Sequence, residues 1–392
     1  MKKLLILCLL ISVTATSFAQ TGNEKRSAFH LSFFPPLSTN GKFASEYTNA
    51  TSVSLLVGIS NNEEIFSIAG LANIVKNNAN GFQLAGLLNY AANSGNGAMI
   101  SGLANIVRNG YNGFQMGGLF NTASRLYGAQ AGGLGNIAGD VIGFQMGGLG
   151  NIAGNTVGFQ LGGFGNITGN AIGFQFGGVG NIAGNISGFQ LGGLGNIAGY
   201  VSGFQFGGVF NYAKRVSGVQ FAGLVNIAES SDYPIAILNI IKNGEYGISA
   251  SYNELGSAML TFRSGGRVTY GIIGVGYNHK ADGNWFTTEA GFGAHINILK
   301  WFRINNEIKG GHIGNYTGEN KFNVNYANYA LLPAFRPLRN LEIFFGPSIN
   351  YIQADNADDK SMFPKNSLWE KSSATRLQQL YIGWQVGIQF IF

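Results

Sequence analysis

Val157-Gly158-Phe159-Gln160-Leu161-Gly162-Gly163-Phe164-Gly165-Asn166-Ile167-Thr168-Gly169-Asn170-Ala171 is one copy of a unit that repeats along the middle of the chain. Gly-Phe-Gln begins at Gly113, Gly143, Gly158, Gly173, Gly188 and Gly203, and Gly128-Ala129-Gln130 and Gly218-Val219-Gln220 fill the same register. From Gly113 to Gly218 the spacing is 15 residues throughout. It places Phe114, Phe144, Phe159, Phe174, Phe189 and Phe204 at one repeat position. A second position holds Asn121, Asn136, Asn151, Asn166, Asn181, Asn196, Asn211 and Asn226. Upstream the period loosens to 16 through Asn73, Asn89 and Asn105, and Ile237-Leu238-Asn239-Ile240 is a degenerate last copy. Self-similarity at a fixed short period is the signature of a stacked array.

Within the unit, Val157, Phe159 and Leu161 alternate with Gly158 and Gln160, the period of a half-buried strand. Gly162-Gly163 suits a corner, Phe164, Asn166 and Ile167 start a second short strand, and Gly169-Asn170 has turn chemistry. One unit cannot bury its apolar face alone, but stacked copies can, with each Phe over the next Phe and each Asn over the next Asn. Stacked amides hydrogen-bond along the pile, which accounts for a buried polar residue in every copy. About twelve coils at ~4.8 Å each would span roughly 55 Å. The expectation is a β-solenoid. The competing reading takes each unit as one membrane-crossing strand, for which about 9–11 residues suffice. The scarcity of charge supports it, since Asp140 is the only charged side chain from Gly128 to Ala213. Against it, a single Phe per antiparallel strand would fall at alternate membrane faces, and every connection would be equally short.

After Asn243 the pattern changes. Strands are expected near Tyr246–Asn253, Ala258–Arg263, Val268–Asn278, Trp285–Ile298, Trp301–His312, Asn323–Phe335, Leu341–Ile352 and Leu380–Phe392. In the last, Ile382, Trp384, Val386, Ile388, Phe390 and Phe392 share one face, opposite Gly383, Gln385, Gly387, Gln389 and Ile391. One apolar side with terminal aromatics and one polar side suits a wall with lipid outside and packed polar groups within. Glu289, Arg303, Glu307 and Lys309 fall on inward faces, where they can pair. Connections alternate in length: Leu299-Lys300 and 337–340 are short, 313–321 and 353–379 long. The fold class is therefore all-β: an N-terminal β-repeat array followed by an antiparallel outer-membrane-type β-barrel of about 8–10 strands. The upper count draws on strands around Ala28–Phe34 and Ser52–Ile59.

The repeats resemble the Gly-Phe-Gln / Gly-Leu-x-Asn surface-repeat proteins of Gram-negative bacteria, over roughly Ile65 to Ile240 and as clearly at Gly223-Leu224-Val225-Asn226 as at Gly133-Leu134-Gly135-Asn136. The resemblance implies an envelope location and assigns no catalytic residue. Ending on Phe392 resembles the terminal strand by which outer-membrane barrels are recognised, which implies the barrel-assembly machinery as a partner.

The start of the chain agrees with export. Lys2 and Lys3, the apolar run Leu4–Val13 and Ser17-Phe18-Ala19 have the layout of a signal peptide over 1–19. Cys8, the only cysteine, would leave with it, so no disulfide or Cys metal ligand is expected. The remaining divisions are N-terminal strands at 20–60, the array at 61–242 and the barrel at 243–392. Charged residues make up 11% of the chain, well below the usual quarter, and the net charge of +6 is too dilute for a nucleic-acid footprint.

No chemistry is legible. His30, His279, His295 and His312 form no metal-binding spacing, and no cofactor is expected. The Gly-rich corners lack the strand-loop-helix context of a phosphate loop. The functional expectation is a non-catalytic outer-membrane or surface protein with a structural or interaction role. Its partners would be outer-membrane lipid and an unidentified surface ligand, for which exposed Thr156 and Thr168 make only an irregular face. Two alternatives stand beside it. One is a pore built from repeats and C-terminal strands together. The other is a barrel enzyme acting on envelope lipid, with His295 and Glu289 on one inward face and no serine marked by a motif.

Overall fold

A computed structural model describes residues 24–280, 285–314, 323–355, 363–373 and 376–392. The expected signal peptide, with Cys8, lies outside the described residues. The architecture is a β-solenoid of about 13 turns plus a closed eight-strand antiparallel barrel. The chain forms two compact units, Met1–Gly192 and Gly193–Phe392. The described part of the first is built of coils, and the second holds the last coils and the barrel.

In the first unit successive repeats pair in parallel, in the register the spacing dictates: Asn136 opposite Asn151, Phe144 opposite Phe159, Gln145 opposite Gln160. Parallel pairing rules out the reading of each repeat as an antiparallel membrane strand, and with it a pore wall shared by repeats and barrel. The N-terminal strands Lys25–Phe34 and Tyr47–Ser54 also pair in parallel and join the array through Asn62–Ala69. They add nothing to the barrel, whose count is eight.

Each 15-residue coil is one 13-residue strand, such as Gly150–Gly162, with a bend at Gly163-Phe164. The expected turn at Gly169-Asn170 instead lies inside the strand Gly165–Gly177, where Gly169 drops out of the Cα register. A second corner is Gly158, at φ +134°. A Cβ built there would lie 2.0 Å from the carbonyl oxygen of Gly143 in the coil before, so the corner admits no larger residue.

The asparagine row is buried, as expected, but the Phe/Gln alternation faces the other way: its Phe side faces out and its Gln side faces in. Phe159, Phe174 and Phe189 are exposed, as are Leu161 and Ile152, while Asn166 and Gln160 are at most 1% exposed. Phe114, Phe144 and Phe204 are half-buried. Thr156 and Thr168, read from sequence as exposed, are buried 3.4 Å apart. Small or branched residues such as Ala138, Val141 and Ala153 complete the interior.

A polar interior is stable only if its groups are paired, since each buried orphan costs ~1–3 kcal/mol. Here two amide ladders meet that demand. Asn151 Nδ2 donates to Asn166 Oδ1 at 2.8 Å and to the Leu161 carbonyl at 2.7 Å, using both hydrogens. The repeating Gln forms a second ladder, with Gln160 Nε2 donating to Gln145 Oε1 at 2.9 Å. Asn donates toward the C-terminus and Gln toward the N-terminus, so the two rows of side-chain dipoles oppose one another. Outside, the rings of Phe159 and Phe174, and of Phe174 and Phe189, stack at 4.9 Å.

The barrel closes by antiparallel pairing of its first strand, Glu245–Asn253, with its last, Arg376–Ile391. The turn between Trp285–Leu299 and Phe302–Gly314 is short, as is that between Asn323–Leu338 and Leu341–Asp355. These two turns lie at the end where the barrel strands begin and finish, and the longer connections lie at the other.

Candidate functional site

The barrel has a charged interior and an apolar exterior, and strand alternation alone assigns each residue. Glu289, Arg303, Glu307 and Lys309 are all buried on the inward face, as their sequence positions predict. Glu307 pairs with Arg263 at 2.8 Å and Lys309 at 3.2 Å, and accepts a hydrogen bond from Tyr270 at 3.0 Å. Lys309 lies 3.5 Å from Glu289, which accepts from Thr261 at 2.8 Å. Nearer the short-turn end, Arg303 joins Glu342 at 2.7 Å and Glu245 at 2.8 Å, and Arg336 reaches the same two carboxylates. Sequence reasoning missed Arg263, Glu245, Glu342 and Arg336. Inward parity was the available signal for Arg263 and Glu342. These groups are buried inside the barrel and paired with one another.

His295 sits in this packing. Its Nδ1 is 2.7 Å from Asn305 Oδ1, its Nε2 is 3.6 Å from Glu245, and its ring stacks on Tyr270 at 4.3 Å. Its side-chain partners here are an amide, a carboxylate and a phenol. Glu289, proposed with it from sequence, is engaged by Thr261 and Lys309. Among the described residues no cluster of metal-binding side chains exists.

The outer wall is the reverse. Ile248, Leu260, Ile273, Ile308 and Phe345 project outward and are exposed, as are Trp384, Val386, Ile388, Phe390 and Phe392 on the last strand. Aromatics gather at two levels. Trp301 stacks on Phe335 and Tyr246 on Phe392 at the short-turn end, and Tyr252 meets Trp384 toward the other. Tyr246 and Tyr252 lie on one strand six residues apart, roughly 20 Å at ~3.3 Å per residue. An apolar band between aromatic girdles is the surface that bilayer hydrocarbon solvates.

The second unit also shows how its coils meet this wall. Asn226 donates to Asn239 at 3.0 Å, and Asn239 donates onward to the carbonyl of Ser264 at 3.2 Å. Thr269 Oγ1 donates to the Pro234 carbonyl at 2.8 Å. Gly271 faces outward beneath the coil, and a Cβ there would lie about 2 Å from the carbonyl oxygens of Ala236 and Ile237. Phe206 stacks on Phe221 at 5.0 Å, and Phe221 lies 6.3 Å from Phe292 on the barrel exterior. The coils therefore end against the outside of the wall, neither in the lumen nor beyond a linker. Both contact partners carry weak sequence signals, because a docking contact has no periodicity.

At the N-terminal end, Glu63 is a buried carboxylate held by Asn49 at 3.0 Å and Ser52 at 2.8 Å. Burial pushes its pKa up to about 7, against hydrogen bonds from Asn49, Ser60 and Ser52 that hold it down; Glu64 nearby adds to the rise.

No protein-family model and no curated protein matches the chain. Among solved structures, the chain is similar to the Yersinia pestis outer membrane protein Ail, solved in a phospholipid bilayer nanodisc. The match covers 38% of this chain and 99% of that one at 14% identity, with a TM-score of 0.21.

Proposed function

We propose that this is a non-catalytic outer-membrane protein in which the barrel anchors the repeat array in the envelope, in a structural or interaction role. The observation that carries the reading is the segregation of the barrel wall: ionic groups such as Arg263 and Glu307 face in, and a mostly apolar band including Ile248, Ile308 and Ile388 faces out. In water that band would be a large apolar liability, whereas hydrocarbon makes it the stable arrangement. On this reading the strand Arg376–Ile391, with its outward apolar face, is the segment by which assembly machinery recognises the chain. The packed ionic lumen supports a plug-like anchor over a conducting pore.

Fractionation tests the anchor. The full chain should stay with the outer membrane through carbonate and high-salt washes. After extraction in detergent it should migrate faster on an electrophoresis gel unboiled than boiled, as closed barrels do. Release by carbonate, or no heat-dependent shift, would overturn the reading.

A further inference from the structure

The repeat array carries the same problem as the barrel wall and offers the same solution. Per coil, the outward positions exemplified by Ile152, Val157, Phe159, Leu161 and Phe164 are all exposed, with Phe164 at 65%. A soluble solenoid places such residues inside. This one gives two interior rows to Asn and Gln, keeps a buried apolar row such as Leu126, Val141 and Ile186 beside them, and presents further rows of Phe, Ile, Leu and Met to its surroundings.

Charge is confined as strictly. From Asn77 to Glu229 the chain has six charged residues: Arg108, Arg125, Asp140, Lys214, Arg215 and Glu229. All six occupy two adjacent positions of the repeat, those of Gly154 and Asn155. The register shows it: Arg125 pairs with Asp140, Asp140 with Asn155, and Tyr200 with Arg215. That corner is polar where it is uncharged, too, because Asn170 donates to Asn155 and Asn185 to Asn170 in an exposed ladder. The coil is thus amphipathic about its own axis, with one wet corner and apolar faces elsewhere.

Within the second unit, the contact between the last coils and the barrel supports one kind of cover for faces of this composition. The row containing Phe206 and Phe221 runs onto Phe292, an outward residue of the barrel wall. A surface that continues the lipid-facing wall is wetted by whatever wets the wall. The backbone permits this as well. Consecutive coils within each unit hydrogen-bond to one another along their strands, as Phe164 N–H does to the Leu149 carbonyl at 2.7 Å, so backbone polar groups on these faces are paired between coils. Within the second unit Ser264 and Thr269 of the barrel close the edge of the last coil, and within the first unit the strand Lys25–Phe34 carries the Lys25–Glu46 and Arg26–Glu64 ion pairs, which suit water.

We infer that the apolar faces of the repeat array are solvated by lipid acyl chains, with the Gly154-Asn155 corner turned to water or headgroups. This rests on the barrel being the membrane anchor.

The test uses the full chain carrying Cys8→Ser, so that each added cysteine is unique, reconstituted into dioleoylphosphatidylcholine vesicles. Nitroxides are placed singly by Phe174→Cys and Ile152→Cys on apolar rows, Asn155→Cys on the polar corner and Ile388→Cys on the barrel wall. Collision with oxygen, which concentrates in hydrocarbon, is compared with collision with a water-soluble nickel chelate. The expected result is oxygen accessibility severalfold above nickel accessibility at 174, 152 and 388, with the order reversed at 155. Two apolar positions are used so that one poorly folding variant does not decide the outcome. Nickel accessibility at 174 and 152 with 388 still in lipid would overturn the inference and leave the anchor intact. Shielding of 174 from both reagents with dipolar broadening would mean a second copy covers the face, and would also overturn it. Nickel accessibility at 388 would remove the anchor and the inference together.

Discussion

Asn239 donates its side-chain amide to the Ser264 carbonyl at 3.2 Å, and its backbone N–H to the Ser264 hydroxyl at 3.0 Å. The asparagine row of the second unit therefore ends on a barrel strand instead of on water. Ser264→Ala removes an acceptor from a buried N–H, at a cost of ~1–3 kcal/mol. The expected outcome is faster hydrogen exchange in Val225–Ile241, with the barrel amides unchanged. Unaltered exchange there would deny the seam any energetic role.

The inverted interior makes two substitutions behave against intuition. Asn166→Leu puts an apolar residue where Asn151, Asn181 and the Phe176 carbonyl all lose a partner. It should destabilise the array by several kcal/mol, at ~1–3 for each buried orphan. Phe159→Ala, on the exposed row, leaves no polar group unpaired, so it should leave the fold in place and cost far less, on the order of the ring stacking at ~0.5–1.5 kcal/mol. Thermal melts of the two variants in detergent check the order.

Gly158→Ala should be worse than its size suggests. The backbone sits at φ +134° and the new methyl would overlap the Gly143 carbonyl oxygen. Loss of the folded array on expression, with Gly110→Ala as the companion where a Cβ meets nothing within 4 Å, is the comparison to make.

Glu63 gives the first coils a pH dependence of predictable sign. Its folded pKa, about 7, exceeds the value of 4.5 that it has when unconstrained. Below pH 4.5 both states hold the proton and nothing is lost. As pH rises to 7 the unfolded chain releases it more readily, and stability falls by up to ~3 kcal/mol before levelling off. Exchange in residues 47–69 should therefore quicken from pH 5 to 8 beyond the intrinsic rate, and Glu63→Gln should flatten the trend.

Breaking the barrel's ionic centre should be costly. Glu307→Ala leaves Arg263 and Lys309 buried with less compensation, a loss of ~3–5 kcal/mol. The heat-modifiable barrel should open at lower temperature. The unmodified protein should show no steady conductance in planar bilayers; stable unitary currents would contradict the packed lumen.

Much of this fold was legible from spacing. A 15-residue period sets register, so the pairing of Asn136 with Asn151 needed no coordinates. The direction of burial was not legible, because alternation says only that Phe159 and Gln160 face opposite ways. The assumption that Phe turns inward is valid for a chain folding in water, and it fails for one whose surroundings are apolar. The ladder of Gln145 and Gln160 could have been anticipated, since Gln recurs as faithfully as Asn. In the barrel, parity placed Glu289, Arg303, Glu307 and Lys309 correctly. The union of Asn239 with Ser264 had no local trace, because neither residue departs from its own pattern.

The in-register stacking of near-identical coils has one further consequence. Each coil bonds to those before and after it, so a whole 15-residue copy can be duplicated or excised in the gene and the new neighbours will find the same partners waiting. Array length can thus change in steps of one unit, and a copy one residue longer is absorbed as a local bulge, as where Asn89, Asn105 and Asn121 stay bonded at a 16-residue spacing.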